Sequence, residues 1–337
     1  MNSFGKLFRI SLFGESHGHL VGVLIDGVPP GLAISEEDMM PDMARRKSGA
    51  AGTTPRKEDD IPVIKSGVYN GYTTGAPLLI QVENKNTRSR DYSELRKTPR
   101  PGHADYTAFR KFGGYEDYRG GGHFSGRLTT GLVAAGVIAK KLIDPVSVSA
   151  SILEVGGSSD IEAAIQKAIE EHDSIGGILE CTISSVPHSL GEPFFDSFEA
   201  VMSHMVFSIP AIKGIEFGAG FAAAKMRGSE HNDNFISKEG TTETNHAGGI
   251  NGGITNGNDI VFRVVVKPTS STHKSQRTMN FATGELHDLV VEGRHDTCIA
   301  LRVPVVLEAA AAIVTADLML QAQEIKRRIN PKDNYGQ

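Results

Sequence analysis

Arginine, glycine and histidine concentrate between Arg88 and Arg127, in the stretch RSRDYSELRKTPRPGHADYTAFRKFGGYEDYRGGGHFSGR. Seven arginines (Arg88, Arg90, Arg96, Arg100, Arg110, Arg119 and Arg127) share forty residues with His103, His123 and the run Gly120-Gly121-Gly122. A guanidinium presents a fixed fork of donors that matches carboxylate and phosphate oxygens, and consecutive glycines let backbone N–H groups approach a ligand closely. The stretch therefore reads as an anion site. Asp91, Glu94, Asp105, Glu116 and Asp117 leave a second reading open, a solvated loop laced by ion pairs.

Three further clusters carry chemistry. Ser16 and His17 sit in a short loop, and His17 is either an acid–base group or a turn histidine bonded to backbone. No G-x-S-x-G surrounds Ser16, so the pair is not a hydrolase signal. Arg45, Arg46 and Lys47 end a helical segment, where they complement its dipole or extend the anion site. Lys267-Pro268-Thr269-Ser270-Ser271 closes a strand with a cation and three hydroxyls, a phosphate or flavin contact or else a polar turn.

The elements that must position these groups follow from periodicity. Phe8 to Gly14 and Gly22 to Gly27 read as strands flanking the Ser16–His17 loop. Ser35 and Asp38 suggest a capping box, and Pro41 a kink or second helix start. The charged patch at 56–60 reads as solvated surface. Strands are expected at Ile61 to Tyr69 and Ala76 to Glu83, then a helix at Arg127 to Ile143 that brings the glycine run to a helix N-terminus. Val146 to Val155 and Ile178 to Ser184 read as strands, Asp160 to His172 as an amphipathic helix capped through Ser159 and Glu162, and Phe198 to Phe207 as a helix. Ile260, Phe262, Val264 and Val266 alternate as one face of a strand, and a core helix spans Val305 to Ile329. GAGFAA at 218–223 satisfies the dinucleotide pattern G-x-G-x-x-A, but the Lys225-Met226-Arg227-Gly228 sequence behind it spoils the apolar helix that pattern needs.

The chain has 337 residues and a net charge of −5, with two cysteines and no tryptophan. Any positive field is local, which argues against an RNA-binding surface built on Arg-Gly stretches and against nucleic-acid partners generally. Cys181 and Cys298 give neither a disulfide framework nor metal-ligand spacing, and no apolar run reaches the ~18 residues of a membrane span. A cytoplasmic protein without membrane or metal is the expectation. No repeat, linker or regular βαβ alternation is visible. The expected class is α+β, with one large domain over residues 1–330 and a disordered tail over 331–337.

Taken in order, FGESHG at 13–18, RSRDY at 88–92, RPGHADY at 100–106, DYRGGG at 117–122, AGGINGGITNG at 247–257, KPTSS at 267–271 and GRHD at 293–296 resemble the motifs of chorismate synthases, from Phe4 to about Leu320. The resemblance implies a β-α-β sandwich assembled as a homotetramer. It implies a carbon–oxygen lyase that removes phosphate and a ring proton from 5-enolpyruvylshikimate 3-phosphate to give chorismate. The cofactor would be reduced FMN, supplied by a flavin reductase or by NADPH. By resemblance His17 protonates the departing phosphate, His103 sets the protonation of reduced flavin, and Asp296 with Ser125 relays the flavin proton, supported by Ser16. Flavin contacts would fall on His123, Phe124, Ser125, Pro210, Ala211, Gly252, Lys267, Pro268, Thr269, Ser270, Ser271 and Arg294. Arg45, Arg46, Arg100 and Arg127 would hold substrate. The family has arginine and serine where this chain has His123 and Phe124, and arginine where it has Gly52, so one anion contact is expected to be missing.

Overall fold

A computed structural model describes residues 1–49, 51–54, 58–85, 92, 94–291 and 295–325. Arg88, Arg90, Asp91, Arg294 and the expected tail lie outside the described residues. Two antiparallel sheets enclose a layer of helices. The first has five strands, in the spatial order Ser3–Phe4, Arg9–Gly14, Leu20–Asp26, Leu78–Glu83 and Val63–Ser66. The second has four, in the order Ile212–Phe217, Ile260–Val266, Gly177–Ser184 and Ser147–Val155.

Alternation along the strands makes the inner faces. Val21, Val23 and Ile25 are fully buried on the first sheet, and Leu179, Cys181 and Ile183 on the second. The expected set Ile260, Phe262, Val264 and Val266 is buried, opposite the gaps left by Val261, Arg263 and Val265. Both inner faces close on one hydrophobic core.

Of the helices, α1 is Met40–Arg46, α2 Asp105–Phe112, α3 Thr129–Ile143, α4 Ile161–Glu170, α5 Phe198–Val206, α6 Gly228–His231 and α7 Val303–Gln321. Helices α3 and α7 form the middle layer. Their faces are small: a Cβ on Gly136 would lie 2.3 Å from Ala309 Cβ, so the two axes approach as closely as glycine and alanine allow. Contrary to the expectation that no apolar run reaches membrane length, the segment Ile299–Gln321 is long and apolar enough to cross a bilayer, but 89% of its most apolar window is buried in the protein, as in a core helix.

Several local readings are decided by the structure, some as expected and some corrected. Pro41 sits at the start of α1, so it marks a second helix start after a short 3-10 turn, Glu37–Met39. Asp38 bonds back to the Ser35 N–H at 2.8 Å, one half of the expected box. Asp160, rather than Ser159, caps α4 by accepting from Ala163 N. The dinucleotide pattern is absent as structure, because Ile212–Phe217 runs antiparallel to Ile260–Val266 and leads into a 3-10 turn, Gly220–Lys225. The largest correction concerns the charged patch at 56–60, whose Asp60 is 2% exposed rather than solvated.

Candidate active site

Two cavities meet where the first sheet, the start of α3 and the turn before α7 converge. The smaller, of about 230 Å³, is lined by Ser16, His17, Arg46, Arg100, Ser125, Arg127 and Asp296, seven of the residues singled out from sequence. The larger, of about 630 Å³, is lined by His103, His123, Phe124, Ser125, Pro210, Ala211 and Lys267 through Ser271. Gly120, Ser125, Gly126, Thr129, Ile209, Pro210 and Ile299 belong to both walls.

The glycine run sets His17. A Cβ on Gly120 would fall 2.5 Å from His17 Cδ2 and 2.9 Å from Ser16 Oγ, so only glycine lets this backbone pass beneath the loop. Ser16 N donates to Gly122 O at 3.0 Å, tying the two segments together. Tyr92 meets the His17 ring edge-on at 5.2 Å between centroids. Beyond the run, Ser125 accepts from Arg127 N at 3.3 Å and opens the turn Gly126–Leu128 that leads into α3. Both cavities therefore face this helix start.

Charge in the smaller cavity is organised by buried carboxylates. Asp60 accepts from Arg46 on one oxygen and from Arg127 on the other. Burial opposes ionisation of Asp60, but the two guanidiniums outweigh it and hold its carboxyl below the usual range. Burial pulls Arg46 down to about 10, against the attraction of Asp60, so it remains a cation at neutral pH. Its Nε is buried with no hydrogen-bond partner, a donor that an incoming anion would satisfy. Arg127 also donates to Asn84 Oδ1 at 2.8 Å.

Sequence reasoning missed Arg302. Its Nε donates to Arg46 O at 3.0 Å, and its Nη1 lies 3.4 Å from Asp296 Oδ2, while Asp296 Oδ1 accepts from Thr54 N at 2.9 Å. The only signal was an arginine just before Val303-Pro304 at a helix start. Among the described lining residues five cations (Arg46, Lys47, Arg100, Arg127, Arg302) face three carboxylates (Glu58, Asp60, Asp296), an excess of two positive charges.

Arg100 joins the two cavities. Its Nε and Nη2 bind Asp105 in a fork at 2.8 Å each, and its Nη1 donates to Ser271 Oγ at 2.9 Å. Asp105 Oδ1 also lies 2.6 Å from His103 Nδ1, which orients that ring and leaves Nε2 to exchange protons. Burial lowers the His103 pKa more than Asp105 raises it, with Arg100 adding to the fall, so the imidazole is neutral near pH 7. Asp105 is held far below the usual carboxylate range despite burial, by Arg100 and His103.

In the larger cavity Lys267 Nζ reaches Ser270 Oγ at 2.6 Å and Gly102 O at 3.2 Å, and the Thr269 hydroxyl is buried without a partner. Leu12, Leu128, Leu132 and Ile212 supply an apolar wall. His123 anchors the N-terminal segment, with Nδ1 2.9 Å from Gly14 O and Nε2 3.1 Å from Asn2 Oδ1.

Two candidates fall outside both cavities. Arg45 is spent on Glu308, and Gly252 is the exposed turn of the hairpin Ile250–Asn251 and Ile254–Thr255. Of the other arginines in the rich stretch, Arg96 donates to Gly114 O, Arg119 pairs with Asp117, and Arg110 is exposed. The stretch thus divides, with Arg100 and Arg127 lining the smaller cavity and Arg96 and Arg119 held by neighbours within the stretch.

Known proteins share this chain's sequence and fold. A sequence model described as chorismate synthase matches residues 8–320. The chorismate synthase of Chitinophaga pinensis is 63% identical over 328 residues, covering 97% of this chain and 99% of its own length. That of Dehalococcoides mccartyi strain BAV1 is 48% identical, covering 97% and 99%. A crystal structure of a chorismate synthase superposes with a TM-score of 0.72 at 24% identity, covering 95% of this chain and 93% of that one, a likeness of fold.

Proposed function

The chain belongs to the chorismate synthase family, and on that premise we propose how its two cavities carry out the elimination of phosphate from 5-enolpyruvylshikimate 3-phosphate that yields chorismate. The substrate bears a phosphate and two carboxylates. The smaller, cationic cavity suits it, with Arg46, Arg100 and Arg127 as holders and Arg302 beside them.

Reduced FMN fits the larger cavity. The unpartnered Thr269 hydroxyl, Lys267, Ser270 and the apolar wall are a donor set for a flat, amphipathic ring system carrying a phosphate. When bound, reduced flavin supplies electron density toward the substrate and a basic ring nitrogen for its departing proton. The protein's own groups do the rest. His17, whose place is set by the close packing of Gly120, protonates the leaving phosphate. His103 controls protonation at the flavin through Nε2, with Asp105 holding the other nitrogen. Ser125 and Asp296 pass the ring proton onward.

The observation that carries this reading is the shared wall at Ser125, which makes two adjoining chambers of one site. Each ligand then excludes water from the other's charges, so FMN should bind more tightly with substrate present. Fluorescence titration of FMN with and without substrate tests this, alongside anaerobic phosphate release with chemically reduced FMN. Equal affinities would break the shared-site reading, and absent turnover would break the activity. The reduced flavin comes from a flavin reductase or from NADPH-driven reduction on the protein. Assembly as a homotetramer is supported by the exposed Phe194, Phe195, Phe221 and Phe235, between 71% and 94% accessible in one chain.

A further inference from the structure

Arg45 and Arg46 are adjacent on α1 yet do different work. Arg46 lines the smaller cavity, whereas Arg45 reaches Glu308 on α7, with Nη1 donating to Oε2 and Nη2 to Oε1, both at 2.7 Å. Glu308 is 4% exposed, on a helix face otherwise built of alanine and valine. It accepts two further donors: Lys140 Nζ of α3 at 2.9 Å and Ala150 N of the strand Ser147–Val155 at 3.2 Å. One carboxylate therefore ties together α1, α3, α7 and the second sheet. Neither Glu308 nor Arg45 lines either of the two cavities described above, so substrate contact there does not explain this buried charge.

Helix α1 has seven residues, too few to hold its own conformation without docking. A slip of one residue along it would turn its face by about 100° and carry Arg46 away from the cavity. Met43 gives α1 a buried apolar contact and Asp42 accepts from Lys140 Nζ at 2.8 Å, but an apolar contact and a single ammonium bond specify rotation weakly, whereas a two-pronged guanidinium–carboxylate pair specifies both rotation and height.

We infer that Glu308 is a positioning residue for substrate binding: by gripping Arg45 in a fork it sets the rotation of α1 and so aims Arg46 into the cavity. This rests on the reading of Arg46 as a holder of the substrate's anionic groups. Loss of the grip weakens anion binding and leaves the proton-transfer groups His17 and His103 in place.

The test uses the full-length protein and five variants: Arg45→Met, Arg45→Lys, Glu308→Gln, the combination of Arg45→Met with Glu308→Gln, and Arg46→Met as reference. KM and kcat are measured with reduced FMN, and the affinity for inorganic phosphate is measured separately by calorimetry on flavin-free protein. Arg45→Met should raise both KM and the phosphate Kd by about tenfold, the scale of one lost charge-assisted bond, with kcat within about twofold. Glu308→Gln should move both the same way by less, because the amide keeps one acceptor. The double variant should be no worse than Arg45→Met, since both break one tie, and Arg45→Lys should restore part of the loss. If Arg46→Met weakens phosphate binding while Arg45→Met and Glu308→Gln do not, the inference fails and the substrate-cavity reading stands. Reduced melting temperatures with unchanged phosphate affinity also overturn it, by making the pair merely structural. If Arg46→Met itself leaves KM and phosphate affinity unchanged, the underlying reading of the cavity fails first.

Discussion

The two cavities share a wall and differ in how they are made ready for a ligand. In the smaller one every cation except Lys47 is held by a buried or half-buried carboxylate: Arg46 and Arg127 by Asp60, Arg100 by Asp105, and Arg302 by Asp296. Four guanidiniums in one pocket would otherwise repel and rotate. The carboxylates fix the forks and leave a positive excess, so on the proposed reading the three anionic groups of the substrate would meet oriented donors without further ordering. In the larger cavity most of the wall surface is apolar, Lys267, one of two lysines lining it with Lys213, leans on a hydroxyl and a carbonyl, and residues 1–4 form part of the wall. One chamber is organised by charge and the other by shape, which is what the proposed pairing of a compact polyanion with a broad ring requires.

That contrast can be broken most directly at the histidines. His17→Asn and His103→Asn should each lower turnover by roughly a hundred- to ten-thousand-fold while both ligands still bind. They should differ in the flavin's response. Only His103→Asn should change the spectrum or pH titration of bound reduced FMN, because His103 lines the larger cavity. Near-normal turnover in both variants would reduce them to turn residues.

Asp60→Asn tests whether charge organises the smaller chamber. Removing the carboxylate strands two buried cations, which should destabilise the protein by about 3–5 kcal/mol in denaturant melts. The pH dependence follows with its sign. Asp60 and Asp105 have folded pKa values below their unfolded ones. Their contribution is complete above the unfolded value near ~4 and is lost as pH falls toward the folded values. Denaturant midpoints should therefore hold from pH 7 to about 5 and drop as pH falls below about 4, less steeply in Asp60→Asn. Equal acid slopes would mean that Asp60 does not organise the site.

Lys267→Ala should weaken FMN binding by about 1.5–3 kcal/mol, the scale of a hydrogen bond to a charged group, with substrate affinity unchanged. A collapse in the melting temperature of flavin-free protein would make Lys267 structural instead.

The smallest effect is expected at Gly52→Arg. Gly52 has φ of +81°, and a Cβ there would lie 2.7 Å from Ile165 Cγ2 and 3.3 Å from Leu301 Cδ1, in packing against α4. The substitution should cost about 1–3 kcal/mol of stability and leave substrate affinity where it is. Improved affinity would show that the family's arginine can still reach the cavity from this backbone.

Much of the fold was legible in the sequence, because strand and helix periods are local. The alternation at Ile260 to Val266, the small-residue run of α3 and the apolar run of α7 each announce an element, and His17, the glycine run and Lys267 announce polar ends beside them. The sequence by itself determined which elements form and which residue types they carry toward the site. Only the tertiary structure decided what each charge does. Arg45 and Arg46 are the same residue side by side, and one turns to Glu308 while the other enters the cavity. Asp60 stands in a patch that reads as surface and becomes the buried partner of Arg127, 67 residues away. Arg302 gains its place from Arg46, 256 residues away. Backbone propensity acts over a few residues, whereas the burial and partners of a charge are set by whichever distant segments fold against it, and no local pattern encodes those distances.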